Sequence, residues 1–292
     1  MSAEANTAST IEITFDGRKL QVLPGQTILE VAEAQGVRIP TLCHDRRLDP
    51  YASCWVCLVK VEKAKGFVPS CGTRVAPGMV VSTQVPEVKA ARRTALELIL
   101  SSHYGDCKAP CTLTCPSNID IQGYLGLVAN GKPQEALELI RQDNPMPAVI
   151  GRICPRPCEQ KCRRNLVDQP LNINGVKRFV ADAEAKAGGM PPRPMPERMG
   201  KKVAVIGAGP AGLSAAWFLS EKGVDVTLYE GMEKAGGMLR YGIPDYRLPP
   251  AILDNAIKDM LSMGATLKTG ARLGRDVTLE KLRAENDAVI IA

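Results

Sequence analysis

The apolar pattern changes character twice along this chain of 292 residues. Near its start, Ile11-Glu-Ile-Thr-Phe15 and Lys19-Leu-Gln-Val22 alternate with period two on either side of Asp16-Gly17, the pattern of a β-hairpin. Thr27-Ile-Leu-Glu-Val-Ala-Glu-Ala-Gln-Gly36 then takes helical spacing, with Gln26 or Thr27 as N-cap, Glu30 in the first turns and Gly36 as the stop. Further strands are predicted over residues 57–62 and 79–83. From Pro86 to residue 186 the pattern is mostly helical. Pro86 opens a helix to about Ser102 with Ala91, Ala95, Leu98 and Ile99 on one face, and Pro133 begins another ending near Arg141. Residues 187–200 are rich in proline and glycine and read as a linker. The third regime, from Lys201, is a βαβ pattern: strand 202–206, helix 210–222, strand 225–229, helix 250–263 and a short apolar strand at 287–292. Three domains are therefore expected, at 10–85, 86–186 and 201–292.

Composition narrows the chemistry. No apolar run approaches the roughly 18 residues a membrane span needs. The first ten residues lack the basic and apolar segments of a signal peptide, which makes a cytoplasmic protein the expectation. The net charge of +6 is dispersed, with few aromatic residues among the basic ones, so a nucleic-acid partner is not expected. All ten cysteines fall in the first 162 residues, in three groups: Cys43, Cys54, Cys57, Cys71; then Cys107, Cys111, Cys115; then Cys154, Cys158, Cys162. Closely spaced cysteines in a reducing compartment point to metal rather than to disulfides.

The first group has the spacing C-x10-C-x2-C-x13-C, and four thiolates with one tight pair can hold two irons and two sulfides. Zinc is the rival, although zinc sites usually arrange two close pairs. Thr41-Leu-Cys-His-Asp, Ser53-Cys-Trp-Val-Cys-Leu-Val-Lys-Val and Pro69-Ser-Cys-Gly-Thr resemble the N-terminal 2Fe–2S domain of the large iron–sulfur subunit of respiratory NADH dehydrogenase, with relatives in iron hydrogenases and formate dehydrogenases. The resemblance covers about residues 10–103. It implies a ferredoxin-like β-grasp domain with Cys43, Cys54, Cys57 and Cys71 as cluster ligands.

The second and third groups share the spacing C-x3-C-x3-C. On a helix that spacing would stack thiols on one face, but Pro110, Pro116, Pro155 and Pro157 argue for bent loops around metal. Cys111-x3-Cys115-Pro116 matches the tail of two-cluster ferredoxins, so two 4Fe–4S cubanes are expected. With Ser117-Asn-Ile-Asp-Ile-Gln-Gly and Arg152-Ile-Cys-Pro-Arg-Pro-Cys-Glu, this stretch resembles the N-terminal domain of the glutamate synthase small subunit, shared with dihydropyrimidine dehydrogenase and with the large subunit of NADH-dependent ferredoxin:NADP oxidoreductase. The resemblance implies one cubane on Cys107, Cys111 and Cys162 and another on Cys115, Cys154 and Cys158. It also implies an upstream cysteine that this chain lacks. His103 is the natural substitute, or else a helix-terminal residue favoured by the dipole. The eighth ligand stays open. Some relatives use a glutamine in the segment matching Gly175-Val-Lys177, where lysine would be a poor ligand, and Glu159 or water are the alternatives.

After the linker, a strand runs into Gly207-Ala-Gly-Pro-Ala-Gly212 and a helix, the arrangement of a dinucleotide fingerprint. Gly207 permits the tight turn, Gly209 the approach of pyrophosphate and Gly212 close helix–strand packing. Pro210 and Ala211 begin the helix whose amides face the phosphates, and Glu230 ends the next strand where a ribose acid belongs. Glu230-Gly-Met-Glu-Lys-Ala-Gly-Gly237 resembles the glycine pair of two-dinucleotide flavoproteins, and Met238 to Pro249 the glutamate synthase small-subunit signature. The resemblance implies FAD, with Gly237, Met238, Leu239 and Arg247 lining the flavin. In that family a nicotinamide site lies beyond a strand like 287–292. The expectation is an incomplete Rossmann-like FAD-binding domain whose NAD(P)H site lies outside these residues, on a fuller chain or another polypeptide.

The sequence thus predicts an α/β multidomain iron–sulfur flavoprotein: a β-grasp ferredoxin-like domain, an α-helical two-cubane domain and a Rossmann-like FAD domain. Its expected role is electron transfer in a cytoplasmic NAD(P)H-linked oxidoreductase complex, between FAD, two 4Fe–4S clusters and a 2Fe–2S cluster. Expected partners are ferredoxin or subunits of NADH dehydrogenase, hydrogenase or formate dehydrogenase type, with electron bifurcation implied by the family alone. The alternatives are a glutamate synthase small-subunit role, a non-catalytic iron–sulfur relay, and structural zinc throughout.

Overall fold

The computed structural model describes residues 10–103, 105, 107–191 and 193–292. The chain divides into two compact units, Met1–Cys107 and Lys108–Ala292.

In the first unit, β1 (Ile11–Phe15) and β2 (Arg18–Val22) form the hairpin. Asp16 and Gly17 both have positive φ, as the turn requires. Asp16 also accepts hydrogen bonds from the backbone and hydroxyl of Thr83, 2.6 Å each, which ties the turn to the end of the sheet. Thr27 caps α1 (Ile28–Ala34) in a full capping box with Glu30. Three more strands, β3 (Leu58–Val61), β4 (Phe67–Pro69) and β5 (Val80–Ser82), complete a mixed sheet in the order β2-β1-β5-β3-β4, with β1 and β5 parallel. Ile13, Phe15, Ile28, Leu29, Val31, Val59 and Val81 form the core, together with Cys57 and Cys71. The helix α2 (Pro86–Ser101) packs on β3, where Arg92 Nε donates to the Leu58 carbonyl at 2.7 Å.

The second unit opens with helices α3 (Pro110–Thr114), α4 (Ile121–Ala129), α5 (Pro133–Arg141), α6 (Pro147–Ile153), α7 (Pro157–Gln160) and α8 (Ile173–Lys186). Proline at the first position of α3, α5, α6 and α7 pre-sets the helical φ and forfeits only an amide that would be unpaired anyway. Then come β6 (Lys202–Ile206), α9 (Pro210–Glu221), β7 (Asp225–Tyr229), α10 (Met238–Tyr241), α11 (Pro250–Leu261), β8 (Thr266–Lys268), α12 (Leu279–Glu285) and β9 (Ala288–Ile291). The sheet is parallel, in the order β8-β7-β6-β9. The order of strand addition reverses between β6 and β9, and ligands of such sheets bind beyond the strand ends at that crossing.

The segment joining the helices to the sheet is fastened along its length. Met190 packs on the core, Arg193 lies 4.8 Å over the Trp217 ring and pairs with Glu138 and Glu221, and Arg198 pairs with Asp225. Met146 and Val149 of the helical part share one core with Val203, Leu213, Trp217 and Leu253. The stretch that reads as a linker is therefore a strap across a continuous core, because its arginines and methionine carry anchoring contacts that its prolines and glycines do not advertise. No helix among the described residues is long and apolar enough to cross a membrane.

Candidate iron–sulfur and dinucleotide sites

In the first unit, Cys43, Cys54 and Cys57 lie on the loop between α1 and β3, and Cys71 follows β4. Ala52 and Trp55, on either side of Cys54, adopt positive φ, so the loop curls back on itself at the close pair. Cys57 and Cys71 are each 1% exposed and their sulfurs are 3.4 Å apart, a contact between free thiols and not a disulfide. Burial, then the thiol and charge of Cys57, then the charges of Cys43 and Cys54 push Cys71 up to about 12. At Cys43 burial acts upward, but hydrogen bonds from Cys54 and Ser53 outweigh it and lower the thiol. Cys71 is thus in electrostatic reach of the other three thiols, and added positive charge among them would offset that repulsion. A 2Fe–2S unit supplies that charge, so the donor set fits it.

Later in the same unit, His103 Nε2 lies 3.6 Å from Cys107 Sγ, and its Nδ1 accepts from the Gly105 amide at 3.2 Å.

In the second unit, α3 packs against α7, which brings the remaining cysteines together. The prolines do not exclude helix from these groups. Pro110 and Pro157 begin two short helices, placing Cys111 and Cys158 in first turns while Cys115 and Cys154 occupy helix ends. Arg156, between Cys154 and Cys158, is left-handed at φ 61°, and its amide points at Cys154 Sγ from 3.4 Å. Burial raises the Cys111 thiol against hydrogen bonds from its own amide and Thr112, and Cys162 adds to the rise. Cys158 is raised by burial and then by Cys154, with Lys177 opposing. The charge of Cys162 thus acts on Cys111, and those of Cys154, Cys115 and Cys158 act on Lys177.

Lys177 is 6% exposed. Burial lowers its pKa, and Cys154, Cys115, Cys158 and Glu159 oppose that in decreasing order. Glu159 is fixed by the Asn174 amide, 2.9 Å from Oε1, with Arg156 4.0 Å from Oε2. Tyr124, buried and raised by desolvation and the nearby thiols, donates to the Ile173 carbonyl at 2.8 Å. Among the described residues no three His, Cys, Asp or Glu side chains gather as a site for one metal ion. Ligands of a polynuclear cluster bind different irons and stand further apart.

The glycine loop follows β6, at the crossing between β6 and β9. A Cβ on Gly207 would lie 2.4 Å from the Ala292 carbonyl oxygen, and one on Gly212 only 1.9 Å from the Gly207 carbonyl oxygen. Gly209 faces Gly237, with a Gly237 Cβ falling 2.8 Å from Gly209 Cα, and the Gly236 amide donates to Ala208 O at 2.8 Å. The Gly236-Gly237 turn therefore backs directly onto the phosphate loop, and no side chain fills the cradle above Gly209. Pro210 and Ala211 stand at the start of α9, whose amides face this cradle. Glu230, 8% exposed, accepts from the amides of Ala208 and Met232 at 2.9 and 2.8 Å, and its remaining lone pairs are the ones a ribose would use.

Met238 is exposed, whereas Leu239 is packed in the core. Arg247 donates to the carbonyl of Ile153, next to Cys154, at 3.2 Å. That bond links the segment after the glycine pair to the cysteine-bearing helices. The sequence offers no sign of it, because the two residues are 94 positions apart. Gly212→Ala is expected to abolish dinucleotide binding, since the clash is with fixed backbone; equilibrium dialysis or bound-cofactor quantitation on the folded variant checks this.

Three segments match known family models: residues 8–86 a 2Fe–2S iron–sulfur cluster binding domain, 87–189 domain II of dihydropyrimidine dehydrogenase with its 4Fe–4S cluster, and 205–252 an NAD(P)-binding Rossmann-like domain. The chain is 44% identical over 205 residues to the beta subunit of NADP(+)-dependent formate dehydrogenase from Moorella thermoacetica, covering 63% of this chain and 29% of the relative. It is 42% identical to the PreT subunit of NAD-dependent dihydropyrimidine dehydrogenase from Escherichia coli K12, covering 63% and 45%. It is 38% identical to the small chain of NADPH glutamate synthase from Mycobacterium tuberculosis H37Rv, covering 64% and 38%. The chain thus spans less than half the length of each of these relatives, all of them subunits or chains of oxidoreductases.

Proposed function

We propose that this chain is the electron-transfer part of an iron–sulfur flavoprotein in a cytoplasmic NAD(P)H-linked oxidoreductase complex. The observation that carries the reading is the convergence of Cys111, Cys115 and the third cysteine group in one unit with the glycine cradle, joined to it by Arg247. The first unit is a β-grasp 2Fe–2S domain with Cys43, Cys54, Cys57 and Cys71 as ligands. One cubane takes Cys115, Cys154 and Cys158. The other takes Cys111 and Cys162, and the resemblance completes its set with Cys107 and His103.

The cradle holds FAD, with its pyrophosphate over Gly207, Gly209, Pro210, Ala211 and Gly212 and its adenosine ribose on Glu230. Gly237, Met238, Leu239 and Arg247 border the flavin, Leu239 through its backbone. When bound, FAD exchanges electron pairs with NAD(P)H and single electrons with clusters. The chain's own groups do the rest: glycine amides and the start of α9 hold the phosphates, Glu230 orients the ribose, and the cysteine thiolates hold the clusters. Ferredoxin, or an NADH dehydrogenase-, hydrogenase- or formate dehydrogenase-type subunit, is the onward partner. Formate dehydrogenase is favoured by the activity of the Moorella relative.

Anaerobic purification with iron, sulfide and flavin quantitation tests this reading. It expects about ten irons and one FAD per chain. A colourless protein holding zinc would overturn it, and clusters without flavin would reduce it to a relay.

A further inference from the structure

Lysine is rarely buried without a partner, and Lys177 is buried among thiols. Ile173, Asn174, Lys177, Val180 and Ala181 form the buried face of α8, which packs on α4, α5, α6 and α7. The start of this helix is locked on both sides. The Asn174 amide bonds Glu159 of α7, and its side-chain nitrogen donates to the Gly151 carbonyl of α6 at 2.8 Å. Lys177 lies one turn further along the same buried face, which packs on α6, ending at Cys154, and on α7, which carries Cys158. At 6% exposure its ammonium cannot reach out to bulk water as a long side chain usually does. The nearest carboxylate, Glu159, is already held by the Asn174 amide and faces Arg156. A buried cation is tolerated only where an anion compensates it, and thiolates holding a cluster would supply that anion.

We infer that Lys177 is a fixed cation held against the cluster bound by Cys115, Cys154 and Cys158, and that it raises the reduction potential of that cluster. The inference rests on the reading of these cysteines as cluster ligands. Reduction adds one electron to the cluster, drawn from the flavin, with no bond made or broken and no proton required. The cluster becomes more negative by one unit, and a fixed positive charge beside it favours that form. The cluster so favoured would be the one whose Cys154 adjoins the Arg247 contact.

The test is an EPR-monitored redox titration of the intact protein, purified anaerobically with its associated subunits, for wild type and for Lys177→Met, Lys177→Gln and Lys177→Arg. With iron content unchanged, the neutral variants should shift the reduction equilibrium of one cubane at least tenfold toward the oxidised form, about 59 mV for a one-electron couple. Lys177→Arg should stay near wild type, and the other cubane and the 2Fe–2S signal should not move. An unshifted midpoint in a fully loaded neutral variant overturns the inference. So does an arginine variant that behaves like the methionine one, which would make the amine an iron ligand or a space filler. Loss of the cluster from both neutral variants also overturns it, because charge compensation leaves the thiolate ligands in place. Cys158→Ser is the control for the underlying reading: if it removes no cubane signal, the ligand assignment has failed and not the role of the lysine.

Discussion

Replacing Cys57 by serine is expected to lower bound iron from about ten to about eight per chain and to remove the 2Fe–2S signal while both cubane signals persist. The effect should be complete because the four thiols act as one electrostatic group. Cys57 touches Cys71, and Cys71 is already pushed up to about 12 by burial and by its three neighbours. Three thiolates and a hydroxyl hold less charge against the iron, and serine's oxygen sits where Ile13, Val59 and Val81 pack closely around the two sulfurs. Metal binding in such a site is also folding free energy, so the first unit should melt earlier while the second keeps its transition. Iron and acid-labile sulfide per chain, together with EPR of the dithionite-reduced protein, read this out. About ten irons with a persisting 2Fe–2S signal would place the fourth ligand elsewhere, and a drop to none would show that the centres do not load independently.

Much of the fold was legible because local chemistry and tertiary position agree. Asp16-Gly17 must turn with positive φ, Thr27 and Glu30 cap each other, and prolines at the first positions of α2, α5, α9 and α11 announce where those helices begin, whereas Pro110 and Pro157, which read as loop signals, also open short helices. The glycines of the dinucleotide loop were readable for the same reason, since a Cβ at Gly207 or Gly212 would occupy the place of a carbonyl oxygen. Elements made by long-range pairing were not readable. The strands β4 and β8 are three residues each, too short to show a period, and exist because β3 and β7 offer them open edges. The fastening of residues 187–200 was hidden likewise, because Arg193 looks like any surface arginine until Trp217, Glu138 and Glu221 are seen around it. At the candidate sites, residue types and spacing were visible, whereas which thiols neighbour Lys177, and the bond from Arg247 to Ile153, depend on the packing of α3 on α7 and of α6 on α11.

Arg141→Met should destabilise the second unit by about 3–5 kcal/mol, the range for removing one partner of a buried ion pair. For a domain of this size that is a fall in melting temperature of about 6–20 °C. Arg141 is 5% exposed on α5, among acidic groups from three other positions. Its guanidinium forks onto both carboxylate oxygens of Glu184 on α8, reaches Glu138 at 3.2 Å, and faces Asp259 on α11, whose carboxyl is raised by burial despite it. Methionine keeps the volume of the stem but leaves Glu184 with no counter-charge in a half-dry position, and it brings Glu184 and Asp259 into unshielded repulsion. The cost therefore arises from the stranded carboxylates more than from the lost attraction. It follows that Arg141→Met combined with Glu184→Met should recover most of the loss, because an apolar pair of similar bulk can replace a buried ion pair with little net change. Anaerobic thermal or urea melts of the two singles and the double measure this, with iron content as the check that the clusters remain loaded. A single variant costing under about 1 kcal/mol would mean that water reaches the pair. A double variant as damaged as the singles would mean that this arginine holds α5, α8 and α11 in register through geometry that no apolar side chain reproduces.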